Sequence, residues 1–92
     1  MSILRKKKFL LFIYIYIYME KKRVPKFVKI RCHNNKDAEL LWVQVFRQQG
    51  SYLIGKVDNN PLSKTLKYGS QSIKYRGDIK VNIKDVRDVL WK

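Results

Sequence analysis

A chain of 92 residues has room for one small domain with one modest core, which excludes a multidomain architecture. Hydrophobic residues make up 46% of the sequence and aromatic residues 13%, so the composition is not that of a disordered chain. The 21 Lys and Arg residues against 7 Asp and Glu give a formal net charge of +14, which favours polyanionic partners such as nucleic acid or an anionic membrane surface, with a solvated lysine-rich surface as the alternative.

The first segment in chain order is an apolar run, residues 9–19, which follows the four basic residues at positions 5–8. No small-residue cleavage site follows the run, and it is shorter than the roughly 20 residues that a transmembrane helix needs. Residues 13–18 alternate Ile and Tyr (IYIYIY), which is what the DNA repeat ATATAT encodes. We therefore interpret residues 1–18 as a translated leader outside the fold and Met19 as the start. A short membrane or signal segment and an added strand are the alternatives. We therefore expect no membrane association unless residues 9–19 are translated and used.

Residues 19–92 are predicted to form a single small β-rich domain. Apolar and charged residues alternate through residues 24–32, which is the period of a half-buried strand. Residues 33–37 form a polar break with turn chemistry, and Asp37 is predicted to cap one helical turn over residues 38–40.

A hairpin is predicted next along the chain. Aromatic and β-branched residues indicate strands at residues 41–47 and 52–57, and Gly50 supplies the positive φ that the connecting loop needs. The four turn-forming residues 58–61 end the second of these strands.

The last third of the chain contains shorter elements. Residues 62–67 are predicted to be an extended connection, and residues 72–75 a short strand between two turns. Apolar residues alternate again through residues 79–83. The spacing of the apolar residues in 86–90 predicts a short terminal helix capped by Asp85, with a last strand as the alternative.

Strands at roughly ten-residue intervals, separated by Gly and Asn turns, predict the fold class. We expect a mainly β domain with minor helix (α+β). Its architecture is predicted to be a small antiparallel sheet or an SH3-like partly open barrel with a short C-terminal helix.

Four stretches between about residues 37 and 92 follow one family pattern: ELLWVQV, LIGKVDNNP, LKYGSQSIKY and IKDVRDVLW. They resemble the uncharacterised bacterial family catalogued as domain of unknown function 2314. The positions that match the family pattern are Glu39, Trp42, Val43, Val45, Gly55, Asn59, Pro61, Leu66, Gly69, Ile73, Tyr75 and Asp88. Ser70 stands where the family usually has Asp, and the closing Trp is displaced to Trp91. Because the family has no established activity, the resemblance implies a fold and little chemistry.

Residues suited to catalysis are few. Cys32 and His33 are neighbours, and adjacent side chains on a strand point to opposite faces, so they are not expected to form a nucleophile and base. Asp85 and Asp88 are not expected to form a catalytic pair, because Asp85 is predicted to cap the terminal helix and Asp88 to be a solvated surface acid. A phosphate-binding Gly-rich loop, a dinucleotide fingerprint and a metal cluster are missing from the sequence. We therefore predict no enzymatic activity, no cofactor, no metal and no small-molecule substrate.

The single cysteine rules out an intramolecular disulfide and fits a reducing compartment, so we predict a cytoplasmic location.

The combination of basic and aromatic residues predicts a binding module. A groove of Lys and Arg with stacking aromatic rings is how small β-barrels hold single strands of nucleic acid. The candidate nucleic-acid contacts are Lys64, Lys67, Lys74, Tyr75, Arg76 and Lys80. The alternative is a protein-interaction module that uses an exposed apolar face or a sheet edge, with the basic charge serving solubility.

Overall fold

The computed structural model describes residues 24–91. The interpretation of residues 1–18 as a leader, the start at Met19 and the apolar run at residues 9–19 therefore lie outside the described residues. Within the described range the prediction of a mainly β fold is confirmed, since the strands form one nearly closed, barrel-like antiparallel sheet. The strands are β1 (Phe27–His33), β2 (Ala38–Gln49), β3 (Tyr52–Val57), β4 (Lys67–Tyr68), β5 (Gln71–Ser72), β6 (Asp78–Asn82) and β7 (Asp88–Leu90).

Strand β1 lies at the centre of the sheet and is paired along both edges. One edge pairs with β2, and the other pairs with β7 near its start and with β4 at its end. The first part of β2 pairs with β1 and its second part pairs with β3, which in turn pairs with β6. The register of β2 shifts between Val45 and Arg47, and this bulge leaves Phe46 exposed.

The core is formed by the inward-facing residues that alternate along the longer strands, together with buried residues of the connecting segments and the 3₁₀ turn. Its members are Val28, Ile30, Cys32, Leu41, Val43, Val45, Leu53, Val57, Leu66, Ile73, Ile79, Val81, Ile83 and Val86. Burying a side chain of this size contributes about 1.5–3 kcal/mol before entropy is counted. Gly55 is required where β3 lies close against the backbone of its neighbour β2, because a Cβ at this position would lie 2.1 Å from the carbonyl oxygen of Gln44.

The predicted C-terminal helix is wrong. Among residues 24–91 the helical structure is a single 3₁₀ turn, Ile83–Asp85, and none of it is long or apolar enough to cross a membrane. The cap of this turn is Asn82, whose side chain accepts a hydrogen bond from the Lys84 N–H, and not Asp85 as predicted. The alternative of a last strand is confirmed, since β7 pairs with the otherwise open edge of β1 in the register Val28 to Val89.

The predicted helical turn after Asp37 is also wrong, because β2 already begins at Ala38. The side chain of Asn34, not that of Asp37, organises this turn. Its Oδ1 accepts hydrogen bonds from the main-chain N–H groups of Lys36 (2.8 Å) and Asp37 (2.6 Å). Strand pairing of residues 38–40 with the end of β1 then overrides the helical preference.

The elements of the central hairpin agree with the sequence prediction. Strand β3 spans the predicted residues, and Gly50 has a φ of 61° in the turn before it. The strand predicted at residues 72–75 is shorter and begins one residue earlier, as β5.

Candidate functional site

The hydroxyl group of Tyr68 joins β4 to two other elements. It donates a hydrogen bond to the Asp85 carboxylate and accepts one from the main-chain N–H of Asn82 at 2.9 Å. Burial, and next the hydrogen bond to Asp85, raise the pKa of the Tyr68 hydroxyl far above its ordinary range. The hydroxyl therefore stays protonated at neutral pH and holds the carboxylate of Asp85 in place.

Two clefts share Tyr68, Gly69 and Asp85 as lining residues. The first, named here the arginine cleft, has a volume of about 270 Å³ and is also lined by Arg31, His33 and Arg87. The second, named the tyrosine cleft, has a volume of about 440 Å³ and is also lined by Tyr52, Ser70, Gln71, Lys80 and Asn82. Because they share three residues, the clefts lie side by side, and together they are called the groove below.

The tyrosine cleft combines an aromatic ring with a cation. Tyr52 is 37% exposed, and the Nζ atom of Lys80 lies 4.6 Å from the centre of its ring. The two side chains project from the paired strands β3 and β6, which fix their backbone positions. Because the ammonium group lies over one face of this partly exposed ring, a planar ligand stacks on that face only when the Lys80 side chain moves aside, and the ammonium charge attracts an anionic group.

The arginine cleft lies at a gap in the sheet. On the outer edge of β1, pairing with β7 ends at Lys29, and pairing with β4 begins at His33. Arg31 stands between them and has no strand partner on this edge among the residues described. Arg87 is held next to it, because its main-chain N–H donates to the carbonyl of Lys29 at 2.7 Å.

The cationic side chains of the groove form no close ion pairs, although Asp85 lines both clefts. Among residues 24–91 the only ion pair within 4.0 Å joins Lys56 to Asp78, on β3 and β6. The guanidinium groups of Arg31 and Arg87 therefore have no carboxylate within that distance in the part of the chain that the structure describes. Both arginine residues are exposed.

The structure does not gather the six candidate contacts into one site. Lys80 alone lines the groove. Lys67 pairs with His33 and lines a separate depression beside Thr65. The remaining residues are exposed and lie outside the groove, in the loop before β4 and the turn after β5: Lys64, Lys74, Tyr75 and Arg76. In that turn the Arg76 guanidinium lies 5.4 Å from the Tyr75 ring centre.

Sequence reasoning missed most of the groove. The sequence pattern predicts a helix around Arg87 and gives Tyr68 no part in a site, so it places neither residue beside another candidate. Alternation along β1 does place Arg31 on the outer face, and this was the one available indication of the arginine cleft. Nothing in the sequence pairs Tyr68 with Asp85, which is 17 residues away.

Exposed apolar side chains are present but scattered. They are Leu40 (54% exposed), Phe46 (57%), Leu62 (93%) and Leu90 (50%). Among the described strand pairings, no two of them are direct partners.

The lone cysteine and histidine face opposite sides of β1. Cys32 is completely buried, whereas His33 is exposed at the rim of the arginine cleft. Burial, with a smaller effect of the Glu39 charge, raises the pKa of the Cys32 thiol to about 11. The thiol is thus protonated at neutral pH. Within the described residues, no three His, Cys, Asp or Glu side chains gather in a group that could hold a metal ion.

Comparison of the chain with protein-family models, curated proteins and solved structures finds no match. The resemblance to domain of unknown function 2314 therefore stays a prediction.

Proposed function

We propose that the chain is a non-enzymatic binding module that holds single-stranded nucleic acid in the groove. One observation carries the proposal: three cationic side chains, those of Arg31, Arg87 and Lys80, line adjoining clefts together with the partly exposed ring of Tyr52. Lys and Arg supply sequence-independent attraction to phosphates, and an aromatic ring supplies stacking for a base.

The dimensions of the groove support a single strand as the ligand. The volume of about 440 Å³ lies in the lower part of the range for ligand sites and that of about 270 Å³ just below it, which suits single base and phosphate groups. In a duplex the bases are stacked on one another, so the Tyr52 ring cannot stack on a base face unless the strand is unpaired.

We also assign the barrel to the SH3-like class. The strand order β7-β1-β2-β3-β6, with the 3₁₀ turn between β6 and β7, supports this assignment.

Membership of the family catalogued as domain of unknown function 2314 is likewise a proposal. Two of its matching residues hold the loop after β3 to β2. The Glu39 carboxylate accepts hydrogen bonds from the main-chain N–H groups of Leu62 and Ser63, and the Asn59 side chain accepts one from Trp42. These are fold-maintaining roles, which is what the resemblance implies. We also propose a cytoplasmic location, which is supported by the single, buried and free Cys32.

The alternative function is a protein-interaction module. Its specific support is Leu62, which is 93% exposed in the loop after β3, next to the exposed Ala38 at the start of β2. Such a module would lose partner binding when Leu62 is replaced by Ser and would ignore substitutions in the groove.

The test is binding of the full chain to short single- and double-stranded oligonucleotides across a salt series. We expect saturable, micromolar binding to single strands at about 150 mM salt, where generic charge attraction is largely screened. Tyr52→Ala should weaken this binding by about 1–3 kcal/mol, the usual value of one stacked base. Tyr75→Ala is the matched control, because Tyr75 is more exposed (49%) and lies outside the groove.

Two results would contradict the proposal. Binding that vanishes at about 150 mM salt and does not depend on Tyr52 would mean generic attraction to a basic surface. Equal losses from Tyr52→Ala and Tyr75→Ala would mean that the groove has no special role. Circular dichroism of both variants establishes that they are folded.

A further inference from the structure

We propose that the arginine cleft is a phosphate clamp, in which Arg31 and Arg87 bind one and the same phosphate group of the strand whose base stacks on Tyr52. The identity of that strand rests on the proposed function. The existence of a phosphate site rests only on the arginine cleft itself.

The position of Arg31 in the sheet favours an anion in the arginine cleft. Along a strand, the main-chain N–H and C=O groups of successive residues point to opposite edges. The carbonyl of Lys29 points to the outer edge of β1, where it accepts a hydrogen bond from the Arg87 N–H. Arg31, two residues further along, therefore directs its main-chain N–H to the same edge. That edge is the gap between β7 and β4, so the N–H joins the Arg31 guanidinium as a donor for an anion in the cleft.

The main chain of Arg87 is held firmly in place. The residue before it, Val86, is buried in the core, and its N–H donates to the carbonyl of Ile83 at 3.2 Å. The N–H of Arg87 itself is bound to Lys29. Because both main-chain positions are held, only the Arg87 side chain, and not the main chain, loses conformational freedom when it binds a ligand.

The guanidinium groups of the arginine cleft are available to bind an anion. A guanidinium group binds phosphate oxygens through two parallel N–H bonds, and neither Arg31 nor Arg87 has a carboxylate within 4.0 Å among the residues described. The acid of the cleft, Asp85, is held by the Tyr68 hydroxyl. Gly69 at the shared rim has no side chain, and the space where a Cβ would stand is open to 4 Å.

The size and arrangement of the two clefts suit neighbouring groups of one strand. The arginine cleft is about 270 Å³ in volume, which is enough for a phosphate and part of its sugar. It shares Tyr68, Gly69 and Asp85 with the tyrosine cleft, so a phosphate in one lies beside a base in the other. A phosphate and a neighbouring base of one nucleic-acid strand can therefore occupy the arginine cleft and the tyrosine cleft together.

The experiment combines a modified ligand with a double substitution. A set of short single-stranded oligonucleotides carries one neutral methylphosphonate in place of each phosphate in turn. We expect one position at which this replacement weakens binding to the wild-type chain about tenfold. In the variant Arg31→Gln, Arg87→Gln, the same replacement should have no effect. Arg76→Gln is the control, because Arg76 is an exposed arginine outside the groove.

The salt dependence tells whether one phosphate or two are bound. Each phosphate contact to a single strand contributes about 0.7 to the slope of log K against log salt. Two arginine residues on one phosphate predict that the double variant loses about 0.7 from the slope. A loss of about 1.4 would assign each arginine its own phosphate and overturn the clamp.

The outcomes separate this proposal from the proposed function. If strands bind through Tyr52 but no phosphate position couples to the arginine pair, the clamp is wrong and the proposed function stands. If no oligonucleotide binds, inorganic phosphate is titrated and followed by amide chemical shifts. Shifts at Arg31, Gly69 and Arg87 that disappear in the double variant would support a phosphate site without a strand. Absence of such shifts would overturn it.

Discussion

Gln71 and Lys80 are joined by two hydrogen bonds that replace one pair of bonds of a β-ladder. The side-chain Nε2 of Gln71 donates to the carbonyl of Lys80 at 2.9 Å, and the N–H of Lys80 donates to Oε1 of Gln71 at 2.8 Å. A side-chain amide thus takes the place of a peptide group on the outer edge of β6. It closes the sheet between β5 and β6 and covers main-chain groups that are otherwise free to pair with another chain.

We expect Gln71→Ala to destabilise the domain by about 0.5–1.5 kcal/mol, because the exposed N–H and carbonyl of Lys80 exchange their bonds to Gln71 for bonds to water. Gln49→Ala, at an exposed position of β2, should change stability by less than about 0.5 kcal/mol. Urea unfolding measures both values. The amide of Lys80 should also exchange its hydrogen faster in Gln71→Ala, and an unchanged exchange rate would show that the side-chain bonds do not protect this edge.

Tyr68→Phe tests the centre of the groove. Removing the hydroxyl leaves the Asn82 N–H without its acceptor and Asp85 without its donor, so we expect a loss of about 1–2 kcal/mol. Tyr75→Phe is the matched control, because it removes the same atom from an exposed ring outside the groove. Equal stability of the two variants would contradict the central role of the Tyr68 hydroxyl.

Stability should fall in alkaline solution. The Cys32 thiol has a pKa of about 11 in the folded chain against an ordinary value of 9.0, so the unfolded chain loses this proton first as the pH rises. The free energy of unfolding is then unaffected by Cys32 below pH 9.0 and declines between pH 9.0 and about 11, by at most about 1.4 kcal/mol per pH unit. The raised pKa of Tyr68 acts in the same direction at higher pH.

Cys32→Ala separates these two contributions. Urea midpoints measured from pH 7 to 11 should decline less steeply in this variant above pH 9, whatever its stability at neutral pH. In the wild-type chain, thiol reagents should modify Cys32 only at the rate of unfolding, because its side chain is fully buried. Rapid modification of the folded chain would contradict the buried, protonated thiol.

Asp85→Asn should strengthen binding of single strands about fivefold. The substitution removes a negative charge that the arginine and tyrosine clefts share, worth about 1 kcal/mol against a nearby phosphate. The amide oxygen that replaces the carboxylate still accepts from Tyr68, so the fold is preserved. Asp78→Asn, which makes the same charge change away from the groove, is the control. If both variants gain equally in a fluorescence-anisotropy titration, the gain comes from net charge alone.

Much of the sheet could be predicted from the sequence, because alternation of apolar and polar residues reports directly on a half-buried strand. Strand β3 is the clearest case, as its ends coincide with turn residues on both sides. The prediction of a terminal helix is wrong for a physical reason. The spacing of Val86, Val89 and Leu90 fits a helix, but the open edge of β1 at residues 27–29 offers strand pairing, and that edge is far away in sequence.

The groove could be predicted only in part. Lys80 was found because it alternates outward on β6, which is a local pattern. The contact of Tyr68 with Asp85 and the meeting of Arg31 with Arg87 depend on how β4 and β7 return to β1. Contacts between segments that are far apart in sequence leave no pattern in residue spacing. A search for basic residues therefore predicts nucleic-acid contacts mostly at exposed positions outside the groove.

The pairing of β1 with β7 also bears on how the chain folds during its synthesis. The Lys26 N–H donates to the carbonyl of Leu90 at 2.8 Å, and Phe27 pairs with the same residue. One of the first contacts of the described chain therefore requires one of its last residues. While the ribosome is still adding residues, β1 can pair with β2 but its other edge stays open, so the barrel closes only after Leu90 has emerged. A nascent chain stalled before Asp88 should accordingly be sensitive to proteases.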